Sequence, residues 1–248
     1  MTKPTIFISD MHLSEQTPKL NMLFLQCLHQ WRDRIDTLYI LGDMFEYWIG
    51  DDVHNELIDT LIHEIKQFTQ STPLMIMHGN RDFLLGQVFS NATGAQLIED
   101  PTLITLYGNR YLLTHGDLLC TNDTAYQQFR IQSRNSLWQQ AMLAKPIPER
   151  IALAKQLRTL SESSHQTQDE TTGYGDVTDT GIEQMMAPFC QNQEKPPTMI
   201  HGHTHRPAIH DHLLYGKQPF KRYVLQDWNG EHGGYIQISE TGIEVKSL

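Results

Sequence analysis

PTIFISD, Pro4 to Asp10, is a short run of β-favouring residues that stops at a carboxylate, and LNMLFLQCLHQW behind it has the length and apolar spacing of a helix. A strand feeding a helix is the repeating unit of an α/β fold. TLYILGD (Thr37–Asp43) repeats the pattern, with a helix expected over residues 53–68, where Leu57, Leu61 and Ile65 recur at fourfold spacing. PLMIMHGNRD (Pro73–Asp82) is a third buried strand ending in a polar loop. The rhythm then changes, and TLITLYGNRYLLTHGD (Thr102–Asp117) is predicted to be a hairpin turning at Gly108-Asn109.

Residues 122–188 are rich in Gln, Ser and Arg, and SLWQQAML and RIALAKQL within them carry helical apolar spacing. This stretch is predicted to be a helical insertion with a polar loop, ESSHQTQDETTGYGD, at its middle. TMIHGHTH (Thr198–His205) returns to strand, and the tail from His210, with RYVLQDW and YIQIS, reads as a β-meander. The expected division is a core of residues 1–121 and 189–248 with a cap inserted over 122–188.

The 248 residues, 39% hydrophobic and 19% charged, suit one soluble core, and the net charge of -10 argues against broad binding of nucleic acid. A phosphate substrate would need local positive charge, which bound metal can supply. No run of about 18 apolar residues occurs, and MTKPTIFISD lacks the features of a secretory signal, so the expected location is the cytoplasm. Cys27, Cys120 and Cys190 are odd in number with no CxxC spacing, and are expected to be reduced.

Each core strand ends in the same chemistry: Asp10 and His12 after the first, Asp43 after the second, Asn80 after the third, His115 after the hairpin, His203 and His205 after the last. In open α/β sheets such ends converge on one crevice. The donors are all nitrogen and oxygen, which suits Mn, Zn or Fe better than calcium. Seven exceed one ion's need, and two ions about 3.5–4 Å apart, sharing Asp43, would clamp the oxygens of a phosphate displacement.

DMH, GD, GNRD, THGD and GHTH, in this order, resemble the five blocks of the calcineurin-like metallophosphoesterases over most of the chain outside the insertion. ISDMHLSE, LGDMFEYWIGDD, HGNRDFLLG, HGDLLCTNDTAYQQFR and HGHTHRPAIH are similar to the branch that acts on UDP-2,3-diacylglucosamine in lipid A (lipopolysaccharide) biosynthesis. The resemblance implies a layered α/β/β/α sandwich with an inserted helical cap that holds the lipid. It implies one ion on Asp10, His12, Asp43 and His205, another on Asp43, Asn80, His115 and His203, and Mn2+ at both. The implied reaction is hydrolysis of the pyrophosphate by metal-activated water at the α phosphorus, giving UMP and 2,3-diacylglucosamine 1-phosphate. Asn80, Arg81 and His115 would be catalytic, and Asn80, Arg81, Asp123, Tyr126, Arg158, Ser161, His165, Gln168 and His203 would bind substrate. His165 and Gln168 depart from the family's amide and lysine, and Lys155 or Arg150 are candidates to take over their contacts. A monomer attached peripherally to the cytoplasmic face of the inner membrane completes the implied picture.

Plainer readings stand beside these. Asp and Asn commonly end strands in turns. His201 either supports a ligand or fills the core, His210 and His212 are expected to be solvated, and Asp82 either orients a catalytic group or caps a turn. Glu46, Asp51 and Asp52 read as loop-shaping charges, and Phe45, Tyr47 and Trp48 as core or pocket lining. The apolar positions Leu137, Trp138, Met142 and Leu143, and Ile151, Leu153, Leu157 and Leu160, either form an acyl channel or pack on their own domain. A nucleotide or cyclic-nucleotide phosphodiesterase and a metal-free scaffold are the rival functions.

Overall fold

The computed structural model describes residues 2–166, 175–190 and 195–248, with the side chains of 159–166 outside the description. Strands β1 (Thr5–Ile8), β2 (Leu38–Leu41), β3 (Leu74–Met77) and β4 (Gln96–Ile98) run parallel, and β10 (Gly234–Ser239) and β11 (Gly242–Ser247) extend the sheet antiparallel, in the order β11-β10-β1-β2-β3-β4. A second sheet has the order β5-β6-β7-β9-β8, with β6 (Asn109–Leu113), β7 (Thr198–His201) and β9 (Gln218–Val224) parallel and β5 (Thr102–Leu106) and β8 (Ala208–Leu214) antiparallel at its edges.

Side chains alternate across each strand, and the alternation builds the layers. Ile6, Ile8, Leu38, Ile40, Leu74 and Ile76 face α1 (Pro18–Trp31), α2 (Glu56–Thr69) and α3 (Gln87–Thr93). Phe7, Leu41 and Met77 face Tyr111, Leu113, Ile200 and Tyr223 of the second sheet. Leu112, Met199 and Phe220 turn outward onto Ile182 and Met186 of α7 (Asp179–Met186). The result is the expected α/β/β/α sandwich.

Several local expectations are corrected. The second helix begins at Glu56, because the Asn55 side chain accepts from Ile58 N and caps it there. The hairpin turns at Tyr107-Gly108, one residue early, and Leu106 pairs with Asn109. Both turn residues have positive φ, 49° and 76°, the conformation that matches strand twist. Unforeseen α3 and β4 follow the third strand; Asp51 caps α3 by accepting from Gly86 N and Phe89 N at 3.0 and 2.9 Å. The tail is two hairpins rather than one meander, β8–β9 in the second sheet and β10–β11 in the first.

Between β6 and β7 lie α4 (Thr124–Ser133), α5 (Ser136–Leu143), α6 (Ile147–Gln166) and α7. Trp138 and Phe129 pack against Phe83 at ring distances of 6.0 and 6.5 Å, and Arg134 lies 4.3 Å over the Phe83 ring, so α4 and α5 rest on the loop after β3. The apolar positions of α5 divide: Met142 is buried, whereas Leu137 is 72% and Leu143 40% exposed. Arg150, a candidate for the cap's substrate contacts, spends its guanidinium on the protein itself. It is buried, bonds the Ile49 and Lys145 carbonyls and grips Asp52 with both guanidinium ends, tying α6 to the loop before α2.

Candidate metal centre

Five parallel strands from two sheets, β1, β2, β3, β6 and β7, end at one edge of the sandwich, and their exit loops are laced together by backbone hydrogen bonds. Asp10 N donates to Gly42 O, His12 N to Asp43 O, Gly202 N to His115 O and Trp228 N to Asp10 O, at 2.9–3.1 Å. Asp82, fully buried, caps the loops: its two oxygens accept from Met44 N and Gly79 N, each at 2.7 Å. The lacing holds five site residues in the left-handed region, with φ of 53° at Asp10, 49° at His12, 51° at Asp43, 68° at His203 and 52° at His205. Non-glycine residues adopt it at a cost of about 1–3 kcal/mol each, and such strain collects at functional sites. Asp, Asn and His are the side chains that tolerate it best.

The seven residues expected at the strand exits come together. His12 Nε2 and His205 Nε2 face each other at 3.4 Å, and His205 Nε2 is 3.4 Å from Asp10 Oδ1. His115 Nε2 is 3.8 Å from Asp43 Oδ2, and Asn80 Oδ1 is 2.9 Å from both His115 Nε2 and His203 Nδ1. Among the described residues, two groups have donor atoms close enough for an ion: Asp10, His12 and His205, and Asp10, Asp43 and His115. Asp10 belongs to both groups and so lies between the two halves of the site.

The donor chemistry fits a divalent cation. Asp10 Oδ1 and His12 Nδ1 are buried without a hydrogen-bond partner, a costly state for polar atoms. His115 Nδ1 donates to Leu41 O at 2.8 Å, which fixes the tautomer and aims Nε2 at the site. Gly79 and Gly202 leave room for this: a Cβ on either would lie 2.1 Å from an oxygen of Asp43 or of Asp10. Burial drives His12 down to about 3 and His203 to about 4, so both are neutral, the form that binds metal. Burial also raises Asp43, to about 7, with Asp82 and Asp10 adding repulsion that His115 opposes. His115 goes up to about 9 although burial pulls it down, because Asp43, Asp10 and Asp117 surround it. Negative charge therefore accumulates where the donors converge.

Around the seven, the structure sorts the remaining candidates. Arg81 Nη1 donates to Glu46 at 2.7 Å, its backbone N–H to Asp43 Oδ1 at 2.8 Å, and Arg158 Nη1 meets Glu46 at 2.8 Å. Glu46 is thus more than a loop-shaping charge: it gathers two arginines beside His12, whose Nδ1 lies 3.8 Å away. Tyr126 lies 6.1 Å from the His203 ring, with its hydroxyl bonded to Asp117, and Asp123 caps α4 through Tyr126 N. Gln168 and the side chains of Ser161, His165 and Leu160 fall outside the described residues. His201 is a core residue: it bonds Gly202 O through Nδ1 and Arg222 through Nε2, both at 2.8 Å. His212 is not simply solvated, since it accepts from Arg222 and stacks on Phe220 at 5.3 Å. Asp117, the last residue of THGD, escaped the sequence reading. Burial pushes its carboxyl up, but His115 and Arg130 hold it well below the usual range, and it anchors both Tyr126 and Arg130. Its place in a strand-exit block was the available signal.

A two-sheet sandwich with nitrogen and oxygen donors converging at its strand ends defines a metallophosphoesterase. The model of the calcineurin-like phosphoesterase family matches residues 3–207. A protein of Chromobacterium violaceum named UDP-2,3-diacylglucosamine hydrolase is 51% identical over 242 residues, covering 98% of each chain. Proteins of the same name from Stenotrophomonas maltophilia and Chromohalobacter salexigens are each 42% identical, over 98% and 95% of this chain and 98% and 93% of theirs. The chain belongs to the calcineurin-like phosphoesterases and, with these relatives, to the UDP-2,3-diacylglucosamine hydrolase family.

Proposed function

We propose that the protein hydrolyses the pyrophosphate of UDP-2,3-diacylglucosamine at the α phosphorus, releasing UMP and 2,3-diacylglucosamine 1-phosphate for lipid A biosynthesis. The observation that carries this reading is the meeting of Asp10, His12, Asp43, Asn80, His115, His203 and His205 at one sheet edge in a chain so similar to those relatives. In this reading Asp10, His12, Asp43 and His205 hold one Mn2+, and Asp43, Asn80, His115 and His203 the other. When bound, such a pair polarises the phosphoryl oxygens and makes water nucleophilic at neutral pH.

The chain's own groups do the rest. Arg81, steadied by Glu46 next to Asp43, receives the charge that develops on the phosphoryl oxygens. Asn80 turns its amide oxygen to His115 and His203 and keeps its NH2 for a phosphate oxygen. The leaving group is a phosphate monoester, far less basic than an alkoxide, so no dedicated general acid is required. Residues 122–188 act as the cap: Tyr126 and Arg158 border the phosphate, and the family resemblance adds Asp123, Ser161, His165 and Gln168 as substrate contacts, the last three outside the described side chains. The cleft beside Glu46, of about 130 Å³ and walled by Leu13, Tyr47, Ile49, Leu57, Ile58 and Ile151, offers an apolar surface to the acyl chains. Among the described residues no helix is long and apolar enough to cross a membrane. We place the protein as a monomer on the inner face of the inner membrane, held by the exposed apolar residues of the cap.

UMP release from UDP-2,3-diacylglucosamine and from UDP-N-acetylglucosamine, by protein stripped of metal and then supplied with manganese, tests the reading. Manganese-dependent release from the diacylated substrate alone is expected. Equal release from both would demote the cap to structure and favour a general nucleotide phosphodiesterase, and no release from either would leave a scaffold.

A further inference from the structure

The lipid side of the site is crowded by α4 to α6, but the substrate has a second half. His203 and His205 bracket Thr204, and from there a cleft of about 280 Å³ opens between the loop Thr204–Ala208 and the segment Asp176–Val177. That volume lies just under the range of about 300–1,000 Å³ for whole drug-sized ligands, a size suited to a part of the substrate such as one nucleoside. Its floor is Arg222, 6% exposed, whose Nη1 and Nε contact only the ring nitrogens of His201 and His212, at 2.8 and 3.0 Å. Among the described residues no carboxylate lies within ion-pair reach of this guanidinium, which is unusual because buried charge is normally paired. On the wall, Arg206 and Asp176 pair with each other across the cleft mouth.

This mixture discriminates between ligands. A pocket for a simple anion gains nothing from a carboxylate on its wall. A uracil presents two carbonyl acceptors flanking one N–H donor, and its ring is flat. Guanidinium donors, the Asp176 carboxylate and the Thr204 hydroxyl match that edge, and an arginine plane stacks on a base. The cleft starts one residue from two proposed metal ligands, as it must if the α phosphorus sits at the metals.

We propose that this cleft, floored by Arg222 and gated by Arg206 and Asp176, binds the uridine half of the substrate. The proposal rests on the reading of the substrate given above, but it is tested separately. Arg206→Ala alters an exposed side chain and Asp176→Asn a half-buried one that keeps an oxygen for Val177 N–H; neither is a proposed metal ligand, and the probes are UMP and inorganic phosphate. UMP is expected to inhibit the manganese-loaded wild type at concentrations far below those needed for phosphate. Each variant should weaken UMP inhibition, and raise KM for UDP-2,3-diacylglucosamine, by about tenfold, with kcat, manganese content and phosphate inhibition unchanged. Unchanged UMP inhibition in both variants would overturn the cleft assignment while the hydrolase reading stood. If the wild type failed to hydrolyse UDP-2,3-diacylglucosamine, calorimetric titration of UMP into the same three proteins would decide the cleft on its own: binding weakened by the substitutions supports it, and binding that is absent or unaffected refutes it.

Discussion

Asp43 and His201 are both buried, both polar and both at strand exits, yet the structure gives them opposite surroundings. Asp43 turns Oδ2 toward His115, whereas both ring nitrogens of His201 are occupied by Gly202 O and Arg222. Asp43→Ala is therefore expected to cost at least about 10²–10³-fold in UMP release and to lose metal. His201→Ala should instead lower unfolding free energy by about 1–3 kcal/mol with kcat little changed. Metal analysis and kinetics on the two variants check this, and equal losses of activity would sink the ligand assignment. Protonation gives a second prediction. In the ion-free protein His115, raised to about 9, carries a second proton at neutral pH, and Asp43, at about 7, is partly protonated. A cation must expel those protons, so apparent manganese affinity should rise with pH up to about 9 and fall as the solution is acidified. Calorimetry at pH 7 in buffers of different ionisation enthalpy should register net proton release; heats independent of the buffer would contradict it.

At the scale of elements, α6 is held to the core by Arg150, whose side chain is 3% exposed while its partner Asp52 is 59% exposed. Removing the arginine lets Asp52 return to water but strands the Ile49 and Lys145 carbonyls without their charged donor. Arg150→Met is expected to lower stability by about 1–3 kcal/mol, read from urea unfolding, with a similar denaturant slope. An unchanged midpoint would show that α6 is anchored elsewhere. The sequence pattern marks RIALAKQL as helical but says nothing about which cation on it points inward, because Arg150, Lys155 and Arg158 are equivalent until the helix docks. The unforeseen α3 has the same cause: its seven residues are too short for a clear apolar period, and its cap, Asp51, comes from a distant loop.

For the whole molecule, a net charge of -10 opposes contact with an anionic bilayer, so the proposed attachment would have to come from a local surface. On the cap, Ile131 is 76% and Leu137 72% exposed. The double substitution Ile131→Ser, Leu137→Ser should reduce cosedimentation with phosphatidylglycerol-containing vesicles several-fold, leaving thermal stability and metal content unchanged. Binding equal to wild type would move the membrane face elsewhere.

The strand and helix rhythm, the strand-exit blocks and hence the seven donors were legible in the chain alone. Burial on both sheet faces writes itself as a near-continuous apolar run, as in TIFI, LYIL and LMIM, and a ligand must be one of few residue types. Pairings that depend on how loops meet were not legible. Glu46 gathering Arg81 and Arg158, Asp82 stitching two loops, Asp117 behind His115 and Arg222 beneath its cleft each join residues remote in sequence or on separate elements. A charged side chain reads the same whether it is solvated or buried, and only the packing of the two sheets and the cap selects its partner.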